Sequence, residues 1–158
     1  MPDCITKIDH AGSRDAVSLL AHFLYAEAGV ESVRTREGIA AAIANQAERL
    51  LSGTGEPGPS RRAARFIECL ERLGAVEAAA KRTDDRAFAS CRRIAQRAVS
   101  GALQDPTGGA VRFHEFGRRP GWATGLNPSA WIGSYLFYRD DAHREAPPAV
   151  EASGEEAF

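Results

Sequence analysis

The amino-acid sequence predicts a mainly α (α+β) fold, a set of helices followed by a small β-hairpin near the C-terminus. Three observations predict it. Apolar residues recur at three- and four-residue steps over residues 14–28, 35–51, 61–73 and 86–103, the spacing that places them on one face of a helix. Asp105-Pro106-Thr107-Gly108-Gly109 is then a concentrated turn signal. Beyond it the pattern changes: Ala110–His114 alternates as a strand does, and Ile132–Tyr138 is rich in aromatic residues.

The elements follow in order. Residues 1–12 are polar and read as a flexible N-terminus. Ser13 is a suitable N-cap for a first helix over 14–28, with Val17, Leu20, Phe23 and Leu24 as its apolar face and Gly29 as a left-handed stop. Thr35 is the expected cap of a second helix ending near Leu51, whose core face is Ile39, Ala40, Ile43, Ala44, Ala47, Leu50 and Leu51. Beside that face, Gly38, Ala42 and Asn45 form a strip on which another backbone can approach closely. Residues 52–60 are rich in Gly and Pro and read as a loop. Ser60 is the expected cap of a third helix over 61–73, with Phe66, Ile67 and Leu70 inward and Gly74 as the stop. A short helix over 75–81 is possible on pattern. Asp84 or Asp85 caps a fourth, over 86–103, with Phe88, Cys91, Ile94, Ala95, Ala98 and Val99 inward. The two strands follow, separated by a Gly- and Pro-containing loop that holds Trp122. Residues 141–158 are charged, without pattern, and read as a disordered tail. The domain is thus expected over 13–140.

Composition bounds the function. The chain has 158 residues and a formal net charge of -1, which gives no electrostatic reason for a nucleic-acid or membrane-surface partner. Arg61, Arg62 and Arg65 form a basic cluster, but Glu68 and Glu71 follow closely, the mark of a solvated face laced with ion pairs. Cys4, Cys69 and Cys91 are odd in number and widely spaced, so free thiols are expected, with neither a disulfide framework nor a zinc site. The four histidines show no metal-ligand spacing, and no cofactor motif is present. No stretch reaches the roughly 20 apolar residues of a membrane span. The first residues lack the apolar run of a signal peptide, so synthesis in the cytoplasm is expected.

One carboxylate stands out. Glu27 lies three residues after Leu24, four after Phe23 and seven after Leu20, which puts it in the apolar stripe at the end of the first helix. Buried Glu is rare without a partner or a purpose, and burial favours the protonated form that a general acid needs near neutral pH. An exposed Glu at a helix end is the other reading. Glu31 is a second carboxylate nearby, read mainly as a partner for Arg34 or for the next helix's N-terminus.

The residues also carry a resemblance. Leu24-Tyr25-Ala26-Glu27-Ala28-Gly29-Val30-Glu31 resembles the Tyr-Gly-Glu-Ala/Ser-Arg-Gly-Glu signature of the cell wall hydrolase family typified by the spore-cortex-lytic enzyme SleB. Asn45 falls where that family has Leu-Asn-Arg. Ala102–Ala110 resembles its Asp-Pro-Thr-Gly-Gly-Ala block. Trp122 and Ile132-Gly133-Ser134-Tyr135-Leu136-Phe137-Tyr138 resemble its downstream Trp and its Ile-Gly-x-His-x-Phe-Tyr ending. The similarity covers roughly residues 16–139. The chain departs from the pattern at Gln46, at Arg112 and His114 to Phe116, and at Tyr135, which takes the place of the His.

The resemblance implies a lysozyme-like helical domain that cleaves the β-1,4 bond between N-acetylmuramic acid and N-acetylglucosamine in peptidoglycan glycan strands, with Glu27 catalytic. Glycosidic cleavage usually needs two carboxylates. A lytic transglycosylase manages with one, because the muramic 6-hydroxyl replaces water and closes a 1,6-anhydro ring. Tyr25, Asn45, Phe88, Thr107, Phe113 and Trp122 are the substrate-binding candidates. For Asn45 a hydrogen bond between helices stands as an equal reading, for Thr107 a turn, and for the aromatics a place in the core. No metal or cofactor is expected. An endolysin or wall-remodelling role would require export, lysis or delivery in a phage-like particle. A weakly catalytic wall-binding or structural module of such a particle is the rival reading, and a helical nucleic-acid-binding regulator is a more distant one.

Overall fold

The computed structural model describes residues 3–51, 55, 58–74 and 85–140. Among them are four helices, α1 (Asp3–Ala28), α2 (Val33–Leu51), α3 (Pro59–Arg72) and α4 (Arg86–Ser100), then three strands, β1 (Arg112–Glu115), β2 (Ala130–Ile132) and β3 (Tyr135–Tyr138). The mainly helical α+β reading is therefore right in class. The expected helix over 75–81, the tail over 141–158 and most of the loop over 52–60 lie outside the described residues.

The helix faces follow the apolar periodicity. Leu20, Phe23 and Leu24 of α1, Ile39 and Ile43 of α2, Phe66 and Leu70 of α3, and Cys91, Ile94 and Ala98 of α4 are buried in one cluster. α1 packs on α3 and α4, and α2 on both of the same helices. Buried Arg36 adds a polar tie, its Nη1 donating to the Ala87 carbonyl at 3.1 Å and reaching Cys91 Sγ at 3.5 Å. Cys69 and Cys91 are free thiols, each pushed above its ordinary pKa chiefly by burial.

The helix ends differ from expectation in ways that side chains explain. α1 begins at Asp3, so the helix starts ten residues before the expected cap at Ser13. Gly29 has no left-handed backbone; a Cβ there would stand 2.5 Å from the Tyr25 carbonyl oxygen, so the helix ends on a close approach. Ser32, not Thr35, caps α2: its hydroxyl accepts from Thr35 N–H at 3.1 Å, leaving Thr35 buried one turn in. α3 begins at Pro59 after Gly58, because proline's fixed φ suits the first helical position, and Ser60 caps nothing. Asp85 caps α4 as expected, accepting from Phe88 N–H at 2.8 Å. Gly101, left-handed at φ 81°, ends α4 three residues before the expected Leu103, while Gly74 ends α3 in the same conformation as expected.

The expected two-stranded hairpin is a three-stranded antiparallel sheet of order β1-β3-β2. Pairing of Ile132 with Tyr135 makes Gly133-Ser134 a two-residue turn, so the stretch expected as one strand is the end of one and the start of another. Gly133, at φ 57°, supplies the left-handed position such a turn needs. β1 pairs with β3 as anticipated, Arg112 opposite Tyr138 and Glu115 opposite Tyr135. The small strip of α2 does admit a close neighbour, but that neighbour is a ring. Phe137 is fully buried against Gly38, where a Cβ would stand 2.9 Å from its Cζ.

Gly38→Val is therefore expected to destabilise the fold by about 1–3 kcal/mol, the cost of forcing extra methyl groups into a packed site. Chemical denaturation of the purified protein measures it.

Candidate functional site

Glu27 keeps the helical phase the sequence gives it, in line with buried Leu20 and Phe23. Its side chain is nevertheless exposed, which corrects the expectation of a buried, dehydrated carboxylate. The reason is its place in the last turn. The stripe that packs against α3 and α4 runs out of covering helix there and opens toward the sheet. What faces Glu27 is Tyr135, at the start of β3. The Tyr135 hydroxyl lies 3.0 Å from Glu27 Oε1 and 3.1 Å from the Glu27 backbone oxygen. Glu27 Oε2 has no hydrogen-bond partner among the described residues.

Tyr135 is buried, and its pKa is raised well above the ordinary tyrosine range. Burial is the largest cause; the Glu27 charge and hydrogen bond come next, then the charges of Glu115 and Glu31. The phenol therefore keeps its proton, and the bond runs with Tyr135 donating and the carboxylate accepting. Glu31 belongs to the same corner: a Cβ on Gly133 would meet Thr35 Oγ1 and lie 2.7 Å from Glu31 Oε2. Three carboxylates thus bear on one tyrosine, with Glu115 also 3.5 Å from Arg118. The pairing of Glu31 with Arg34 that the sequence suggested is not among the ion pairs of the described residues.

The other candidates are elsewhere. Tyr25 sits two residues before Glu27, roughly 200° around the helix. It faces α4, donating to Asp85 Oδ2 at 2.5 Å and meeting the Phe88 ring edge-on at 5.9 Å. That hydrogen bond holds the Asp85 carboxyl below its ordinary range, helped by Phe88 N–H. Tyr25 and Phe88 therefore dock the start of α4 on α1 and do not meet Glu27.

Asn45 and Thr107 lie at the opposite end of the sheet. Asn45 Nδ2 donates to Asp105 Oδ2 at 2.9 Å and to the Ala110 carbonyl at 2.8 Å, and Gln46 donates to the Val111 carbonyl. Asp105 also accepts from Thr107 N–H at 2.7 Å, Thr107 Oγ1 at 2.5 Å and Gly109 N–H at 2.8 Å. The Asp-Pro-Thr-Gly-Gly block is thus a clamp that brings the chain into β1. Thr107 is 1 % exposed, so it faces no cleft.

Trp122 is on the face of the sheet away from Tyr135. Its ring meets Tyr138 edge-on at 5.3 Å and His114 at 5.8 Å, with the Arg112 guanidinium 5.5 Å from its centroid. Phe113 shares the face of Tyr135 but lies behind it, 6.3 Å away and against Phe137. His114 is buried between the Glu115 carbonyl and the Tyr138 hydroxyl. Of the seven candidates, Glu27 alone stands at this corner with an open carboxylate oxygen. Sequence reasoning missed Tyr135, whose place in the Ile-Gly-x-His-like block was noted only as a departure, and Glu115.

The basic cluster behaves as a solvated face: Arg62 pairs with Glu48 at 2.8 Å, and Arg65 and Arg72 both pair with Glu68. Among the described residues no group of three or more His, Cys, Asp and Glu gathers to hold a metal ion, and no helix is long and apolar enough to cross a membrane. Comparisons with protein-family models, with curated proteins and with solved structures gave no match.

The clamp makes a pH prediction. Burial pushes the Asp105 carboxyl up, but hydrogen bonds from Thr107, Asn45 and Gly109 outweigh it and hold the pKa below the ordinary value. A depressed folded-state pKa stabilises above the unfolded value of about 3.9 and ceases to as pH falls through the folded value. Asp105→Ala is expected to cost about 1–2 kcal/mol near neutral pH, the partly solvated carboxylate keeping the figure low. In denaturation series, the gap between this variant and the parent should narrow steadily below about pH 4.

Proposed function

We propose that this protein is a peptidoglycan-cleaving enzyme with a lysozyme-like arrangement. It cuts the β-1,4 bond between N-acetylmuramic acid and N-acetylglucosamine as a lytic transglycosylase. One observation carries the reading: the carboxylate at the position of the resembled family's functional Glu stands at a helix end, fixed through one oxygen by Tyr135 and open at the other.

The chemistry follows from that asymmetry. Glu27, when protonated, gives its proton to the leaving glycosidic oxygen. The resulting carboxylate then takes the proton of the muramic 6-hydroxyl as that oxygen closes on C1, so acid and base are one group used twice. Tyr135 fixes the carboxylate plane so that the free oxygen serves both steps, a positioning role in which small misplacements are costly. Glu31 and Glu115 add negative charge beside the cationic character that develops on the sugar ring, which favours an oxocarbenium-like transition state. Peptidoglycan strands are the substrate, and no cofactor enters the scheme. An endolysin or wall-remodelling setting fits this activity, with the protein reaching the wall by export, lysis or delivery in a particle.

Glu27→Gln is expected to keep its thermal midpoint and lower the clearing rate of purified sacculi by about 10²- to 10⁴-fold, the usual worth of a general acid–base. Undiminished clearing by the folded variant would sink the assignment. Tyr135→Phe is expected to slow clearing by about 10- to 100-fold while sedimentation with sacculi stays at the parent level. Loss of binding together with rate would make Tyr135 a scaffold residue only.

A further inference from the structure

Trp131 and Phe116 form an exposed aromatic pair beside the β2–β3 turn. Phe116 directly follows β1, and Trp131 is the middle residue of β2, on the sheet face opposite Tyr135. The two rings stack, with centroids 5.2 Å apart and planes 10° from parallel. Both are exposed, Phe116 at 59 % and Trp131 at 62 %, although each already covers part of the other. Trp131 Nε1–H donates to the Gly133 carbonyl at 3.0 Å, which orients the indole, and the Phe116 backbone N–H donates to the Ser134 carbonyl at 2.7 Å. The indole and the Phe116 backbone are thus tied to the β2–β3 turn. A cavity of about 350 Å³ lies alongside, lined by Glu115, Phe116, Gly117, Trp131, Gly133 and Ser134.

This cavity borders the Glu27 corner. Glu115 lines it and also bears on Tyr135, while Gly133 lines it and lies against Glu31. Glu115 and Gly133 are thus the neighbours that the aromatic pair and the Glu27 corner share across the β2–β3 turn.

We propose that Phe116 and Trp131 form a sugar-binding subsite for an N-acetylglucosamine unit of the strand being cut. The inference rests on the peptidoglycan reading above for the identity of that strand. A pyranose ring offers a flat C–H face that buries against an indole, and a hydroxyl rim that needs acceptors. Acceptors are at hand in the Glu115 carboxylate and in the Gly133 and Ser134 carbonyls, each of which has a second lone pair. Shape and acceptors select among the possible occupants. The N-acetylglucosamine unit lacks the 3-O-lactyl peptide that encumbers the muramic unit, so it can lie flat on the pair. Glu115, paired with Arg118 at 3.5 Å, presents carboxylate acceptors to its hydroxyls and none of the free positive charge that a phosphate or an anionic lipid headgroup needs.

The test uses the full chain carrying Glu27→Gln, so that the ligand is not cut, titrated calorimetrically with chitotetraose, a β-1,4-linked N-acetylglucosamine oligomer. Adding Trp131→Ala is expected to weaken binding about tenfold, the loss of one aromatic platform, whereas Trp131→Phe should stay within about threefold. Equal affinity of the Trp131→Ala protein and its parent would overturn the subsite, as would capture of phosphatidylglycerol vesicles in place of the oligomer. The two readings fail separately. Trp131-dependent binding with no clearing of sacculi by the wild-type chain would leave the subsite standing and remove the enzyme. Glu27-dependent clearing with a Trp131→Ala protein that binds normally would remove the subsite alone.

Discussion

The hydrogen bonds from the Tyr135 hydroxyl to Glu27 join residues 108 apart in sequence, and the geometry of the corner depends on them. One hydroxyl proton is shared between the Glu27 carboxylate and its backbone carbonyl. The same contact therefore satisfies an orphan carbonyl in the last turn of α1 and orients the side chain that projects from it. It works only because β3 is held where it is. Phe137, two residues on and on the same face, fills the space that Gly38 leaves on α2, so the strand cannot slide without expelling a fully buried ring. Burial, with the charges of three carboxylates, raises the Tyr135 pKa, so the phenol keeps its proton and stays a donor near neutral pH.

The other end of the sheet is held by different means. Asp105 accepts from two backbone N–H groups, one hydroxyl and one amide, and Asn45 and Gln46 carry the load on to the carbonyls of Ala110 and Val111. A short sheet of 3- and 4-residue strands has little stability of its own, so two side-chain clamps and one aromatic plug on α2 take its place. One end of the sheet thus carries the exposed Glu27 carboxylate and the aromatic pair, and the other carries the Asp105 clamp.

The helical part was legible because period and composition agree: spacing named the large buried residues Leu20, Phe23, Leu24, Ile39, Ile43, Phe66, Leu70 and Ile94, while Val17, Leu50, Ile67 and Phe88 proved half-buried and buried Arg36 and Cys69 were not foreseen. Helix ends were harder, because Ser13, Ser60 and Thr35 are good caps in isolation but Pro59 and Ser32 compete for the same positions locally. The sheet was half legible. Ile132–Tyr138 has one continuous β-like composition, and only the pairing of Ile132 with Tyr135 shows that Gly133-Ser134 is a turn. For the site, the helical phase of Glu27 was right and its depth wrong, since periodicity gives direction but not where neighbouring helices stop. Tyr25, Phe88, Asn45, Thr107, Phe113 and Trp122 make packing or clamping contacts away from the Glu27 carboxylate. The partners that make the corner, Tyr135 and Glu115, come from strands whose register no local pattern specifies.

A lone carboxylate with one fixed and one open oxygen is the core of the account, and the released products report on it directly. Mass spectrometry of muropeptides from sacculi treated with the wild-type chain should show 1,6-anhydro ends, one water lighter than reducing ends, and treatment with the Glu27→Gln chain should release none. Reducing ends from the wild type would replace the 6-hydroxyl with water and require a second carboxylate. Anhydro products from the Glu27→Gln chain would contradict the account outright.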